Sequence, residues 1–128
     1  MKKILLGSLV AFGLAASSSV FAADTEICTG AAQAGNGAVP TSGNAGTTYM
    51  MTGIKPKCSA NVWLSGMDGT SGAWYAVGSA SVKGKTTFKG HTNGGAVSKN
   101  VDCAIPGGCT QAEAQAAKTA ANTQASSS

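Results

Sequence analysis

The chain reads as a small, mainly β protein: an antiparallel meander curled into a sandwich or barrel, with a short C-terminal α-helix and two disulfide staples. Three observations predict this. Residues 74–83, WYAVGSASVK, alternate with period two, the mark of a half-buried strand. Turn formers such as Asp68-Gly69 and Asn93-Gly94-Gly95 separate the apolar runs. Four cysteines, Cys28, Cys58, Cys103 and Cys109, follow a leader of the secretory kind.

The leader is MKKILLGSLVAFGLAASSSVFA, residues 1–22. Lys2 and Lys3 form its positive end, residues 4–16 its apolar core, and Val20-Phe21-Ala22 a cleavage site. The core is too short, and too soon followed by three serines, to span a membrane. Cutting after Ala22 leaves one domain over residues 23–121 and a disordered tail over 122–128. Within the domain, residues 24–46 read as loop or a short edge strand pinned by Cys28. Residues 49–54, YMMTGI, read as a strand stopped by Lys55-Pro56, and a second strand runs from Cys58 to Ser65. The strand over 74–83 puts Trp74, Ala76, Gly78, Ala80 and Val82 on one face, with Gly78 marking a bend or bulge. Residues 85–89 and 96–101 supply two more strands. Thr110-Gln111-Ala112-Glu113 is a capping box, and an Ala-rich helix follows to about Ala121. Glu113 and Lys118 sit at the ends that suit the helix dipole.

Eighteen glycines and few aromatics leave little apolar area per residue, so the core is thin and the cysteines must help. Pro106-Gly107 lies between Cys103 and Cys109 and turns the chain back, so these two pair and Cys28 pairs with Cys58. Neither spacing suits structural zinc, and there is no redox C-x-x-C.

Without Lys2 and Lys3 the chain has seven lysines against five acids and no arginine, a net charge of +2. Lys83, Lys85, Lys89 and Lys99 fall in an acid-free stretch, residues 69–101. They could form a face for a polyanion, or guard a strand edge against pairing. The lack of Arg and of interleaved rings argues against nucleic acid. Gly84-Lys85-Thr86 ends like a phosphate-binding loop. The first glycine is out of register, since Ser79 stands where it should be, and strand formers follow in place of a helix.

No catalytic constellation emerges. His91 is the only histidine and reads as a loop residue. The five acids are scattered, and no G-x-S-x-G exists. Met50, Met51, Met67 and His91 have copper-binding chemistry, but adjacent strand residues point to opposite faces. Trp63, Trp74, Tyr75 and Tyr49 are the candidate ligand platform, with the two tryptophans facing each other across the Asp68 turn. If buried, the same rings are simply core.

The runs Lys57-Cys58-Ser59-Ala60-Asn61-Val62, Lys89-Gly90-His91-Thr92-Asn93-Gly94-Gly95-Ala96-Val97 and Gly108-Cys109-Thr110 resemble a group of short exported Gram-negative proteins to which no activity is attached. The resemblance implies export and a shared scaffold and transfers no site. The expectation is a non-enzymatic exported protein without cofactor or metal, in the periplasm, at the cell surface or outside. It would act as a structural or surface-interaction protein or a subunit of an extracellular assembly. Its partner would be further copies of itself. The alternative is a module for cell-surface carbohydrate or polyanion using Trp63, Trp74, Tyr75, Lys83, Lys85, Lys89 and Lys99.

Overall fold

A computed structural model describes residues 23–128. The leader expected over residues 1–22 lies outside the described residues. Among the described residues seven strands and a short 3-10 turn (Thr70–Gly72) accompany one α-helix: β1 (Asp24–Thr29), β2 (Gly35–Asn36), β3 (Lys57–Cys58), β4 (Val62–Asp68), β5 (Tyr75–Ser81), β6 (Thr86–His91), β7 (Ser98–Asp102) and α1 (Gln111–Ser126). Five of the strands form one antiparallel sheet in the order β1-β4-β5-β6-β7, and β2 pairs with β3 in a small second sheet. The mainly β class, the C-terminal helix and both disulfides, Cys28–Cys58 and Cys103–Cys109, are present as the sequence predicts. The main sheet is open, with β1 and β7 at its edges, and its second layer is the helix.

The alternation read along residues 74–83 decides where the helix lies. Trp63, Ser65 and Met67 of β4 are in register with Ala80, Gly78 and Ala76 of β5, and Lys89 and His91 of β6 continue two of those rows. This is the face α1 covers. The helix presents Ala114, Ala117, Ala121 and Ala125, all buried, at helical spacing. A side chain at Gly78 would strike the Lys118 amide nitrogen and the Ala114 carbonyl. Small side chains on both layers thus bring the two backbones into contact. The core reflects this: Ala80, Cys109 and Ala114 form its centre, with Trp63 and Cys103 packed against them. The largest fully buried side chains are Thr87, Asp68 and Ser65, all polar. Thr87 repairs the irregular β6–β7 register: its hydroxyl donates to the Val101 carbonyl at 3.0 Å and accepts from the Val101 N–H at 3.2 Å.

Several expectations are corrected. Residues 49–54 form no strand. They belong to a long arm, residues 35–58, whose two limbs are joined by the β2–β3 pair and by the Gly37 N–H to Pro56 and Gly43 N–H to Met50 carbonyl bonds. The edge these residues would pair with is occupied, since the Ile27 carbonyl of β1 accepts from Ala38. The strand placed over 58–65 is β4, starting four residues later and ending at Asp68. Residues 122–126 are helical, where a disordered tail was expected. Asn122 accepts from the Trp74 indole at 2.8 Å, and the Ala125 carbonyl accepts from the Asn93 side chain at 2.8 Å, which holds the last turns down. Lys118 is buried and pairs with Asp24 of β1, so it does not serve as an exposed partner of the helix dipole.

The capping box forms as read: the Thr110 hydroxyl accepts from the Glu113 N–H, and Glu113 accepts from the Thr110 N–H at 2.7 Å. Glu113 also accepts from the Ala104 N–H at 2.6 Å, joining the disulfide loop to the helix. These donors hold its carboxyl below the usual value of 4.5, the Ala104 bond foremost. A depressed carboxyl contributes stability that is present above its unfolded value and lost as pH falls through the folded one. Stability should therefore decline once pH drops below the usual Glu range. Glu113→Gln should be less stable at neutral pH and should lose less on acidification. Urea unfolding of both proteins between neutral pH and acid checks this, and parallel pH profiles would contradict it.

Candidate functional site

The residues that the sequence nominates for ligand binding are dispersed by the fold. Trp63 and Trp74 do not face each other. Trp63 pairs in register with Ala80, packs over Gly30 and donates its indole N–H to the Cys109 carbonyl at 3.2 Å, near the start of α1. Trp74 packs over Gly69 and bonds to Asn122 near the end of α1. Tyr75 lies on the opposite face of the sheet, 8% exposed, with its ring over Gly66. Its hydroxyl is pushed up to about 12 by burial and then by the carboxylates of Asp68 and Asp24. The three rings therefore do not form one exposed platform.

The four lysines separate in the same way. Lys83 and Lys85 lie within the β5–β6 turn. Lys89 is in register with Gly78 on the helix-covered face, whereas Lys99 is opposite Phe88 on the other face. Lys99 is 2.9 Å from Asp102, an exposed pair on an edge strand, so the edge-guarding role applies at that position. Thr86 opens β6, so no helix N-terminus follows Lys85 to receive a phosphate. A shallow cleft of about 450 Å³ lies beside Lys85, bounded by Thr86, Asp102, Cys103, Ile105 and Pro106.

His91 ends β6 and is not a loop residue, and its two ring nitrogens are buried without a partner among the described residues. Met67 shares its row through Ala76, whereas Met50 and Met51 lie in the arm. Cys103, Cys109 and Glu113 come together, but the sulfurs are bonded to each other and Glu113 accepts the capping N–H groups. That cluster is a structural knot.

Two features escaped sequence reasoning. The first is the arm, 24 residues with only two short paired segments, which carries Val39, Met51 and Ile54 at 52%, 61% and 52% exposure. Val39 leans on Gly53, so the two limbs touch there, and Val39 shares a pocket with Lys55 and Lys57. Phe88, Val97, Val101 and Ile105 add exposed apolar area around β6 and β7. The second is Asp68. It reads as a turn residue, yet it ends β4 fully buried. One of its oxygens accepts from the Tyr49 N–H at 2.8 Å, which ties the tip of the arm to the sheet.

No family model, curated protein or solved structure matches the chain.

Proposed function

We propose that this chain is a non-enzymatic contact protein of the extracytoplasmic space, a subunit of an assembly built from further copies of itself. The observation that carries this reading is the exposure of large apolar side chains over an interior made mainly of alanine. Alanines fill the interior, while Val39, Met51, Ile54, Phe88, Val97, Val101 and Ile105 are each at least 45% exposed. Scattered surface hydrophobes are ordinary, but a chain so poor in large apolar residues that leaves seven of the sixteen Val, Ile, Leu, Met, Phe and Trp side chains among its described residues exposed presents them to something. The two disulfides fit an oxidising compartment outside the cytoplasm. Polar side chains with chemistry to offer hold structure instead: Glu26 accepts from Ser65 and Gln115, Asp24 pairs with Lys118, and Glu113 caps α1. Carbohydrate or polyanion binding ranks below this reading, because the rings are tied inward and the lysines divided.

Sedimentation of the purified mature protein over a wide concentration range, with electron microscopy of the same samples, tests the proposal. Self-association is expected, and Met51→Asp with Ile54→Asp should weaken it at least about tenfold, as loss of two buried apolar anchors would. A monomer at every concentration up to millimolar would overturn the reading.

A further inference from the structure

Asp68 is a buried carboxylate with half of its bonding unmet. It is 0% exposed, and one oxygen has no partner among the described residues. The two ion pairs among the described residues are Lys99–Asp102 and Lys118–Asp24, so no side-chain cation faces it. An unpaired charge in such a place is strongly unfavourable. Directly across from it is Ala23. The Asp68 N–H donates to the Ala23 carbonyl at 3.1 Å, and the next pair along is Asp24 with Met67. Opposed residues in an antiparallel ladder have Cα atoms roughly 4.5–5.5 Å apart and side chains on the same face, so the Ala23 nitrogen and the Asp68 carboxylate belong to facing residues of one rung at the end of the ladder.

We propose that Asp68 is the receptor for the α-ammonium group of Ala23, released when the leader is cut after Ala22, and that this cut completes the fold. Hydrolysis of the Ala22–Ala23 amide places the oxygen of water on Ala22 as a carboxylate. The amide nitrogen stays on Ala23, takes both protons of that water and becomes an ammonium. A neutral amide at that position offers Asp68 no charge, whereas the ammonium offers a charge and three donors. The surroundings favour a cation: Asp68 and Asp24 are the carboxylates that also raise the Tyr75 hydroxyl, and that hydroxyl is itself buried without a partner among the described residues. Before the cut the carboxylate would be uncompensated and the β1–β4 end loosely held, a state compatible with export. The arm tip hangs on the same carboxylate through Tyr49, so the cut would also set the arm.

The proposal rests on cleavage after Ala22, so the first measurement is the intact mass and N-terminal residue of the exported protein. A first residue other than Ala23 overturns it. The second compares three oxidised forms starting at residue 23: with a free amine, with an acetylated amine, and with one added glycine. Acetylation and extension should each lower the melting temperature by about 4 °C or more. At pH 7 the free α-amine should react with an acylating reagent at least about tenfold more slowly than in Asp68→Asn, the effect of one unit of raised amine pKa. If Asp68→Asn does not fold, the same protein unfolded in denaturant serves as the reference. Equal stability of the free and blocked forms, or an unshifted acylation rate, overturns the assignment even if cleavage falls after Ala22.

Discussion

Gly78→Ala should separate the two layers of the molecule. The new methyl would fall on the Lys118 amide nitrogen and the Ala114 carbonyl, with the Ala117 carbonyl carbon close by. These are backbone atoms in the middle of a 16-residue helix and cannot turn aside as a side-chain tip would. Either α1 moves outward or β5 bends. If the helix moves, Ala114 loses its packing against Ala80, α1 loses its contact with β5, and the Lys118–Asp24 pair is pulled apart while Lys118 is still buried. Overpacking alone costs about 1–3 kcal/mol, and leaving the buried Lys118 ammonium without its half-exposed partner Asp24 adds to it, so a loss of about 3 kcal/mol is expected. Urea unfolding gives the magnitude, and hydrogen exchange shows where it falls: residues 111–126 should lose protection first. A loss below about 1 kcal/mol would mean that the layers are not in contact at Gly78.

The same contact shows what was legible in the sequence. The period-two pattern of residues 74–83 identifies β5 and sorts its faces correctly, and Thr110-Gln111-Ala112-Glu113 marks the start of α1. Gly78 reads as a bend or bulge, because a single sequence does not show what approaches a glycine. The Ala-rich helix reads as marginal, because apolar area per alanine is small. That estimate omits close approach: alanine against glycine lets whole backbones pack, and dispersion acts over many atoms. The end of α1 was illegible for a related reason. Asn122 and Thr123 look like a terminus, and only the distant Trp74 and Asn93 reveal that they are held.

The candidate site was less legible than the fold. Asp68-Gly69 carries a strong local turn signal, and a turn does follow, with Asp68 as the last residue of the strand before it. Its burial comes from Tyr49, 19 residues away, and from Ala23 on the far edge strand. No periodicity encodes such a meeting. The apolar residues at 49–54 read as a strand because apolar runs usually seek a core. In this chain they remain outside.

Removal of Cys28–Cys58 should release the arm. The bridge joins β1 to β3, spans a sequence separation of 30 residues and holds Cα atoms 5.7 Å apart. Gly37 packs directly against the Ile27 carbonyl and Cys58, so the bridge also sets the base of the arm against the sheet. Little else binds the arm to the sheet: the Ala38 N–H on Ile27, the Tyr49 N–H on Asp68, and Gly72 resting against Thr48. The arm has no apolar core of its own, since Val39, Met51 and Ile54 face outward. Restoring the loop entropy of the unfolded chain alone predicts a loss of about 3.7 kcal/mol in the Cys28→Ala, Cys58→Ala protein. Alanine is chosen because Cys28 is 3% exposed and a buried hydroxyl there would add a penalty of its own. The β5–α1 contacts lie on the other face of the sheet. Hydrogen exchange should therefore show residues 38–57 unprotected while β5 and α1 keep their order relative to each other. Because the proposed self-association uses Met51 and Ile54, the same variant should also fail to assemble while still folded. Full protection of residues 38–57 after bridge removal would mean that the Tyr49–Asp68 bond and the Thr48–Gly72 contact hold the arm without it.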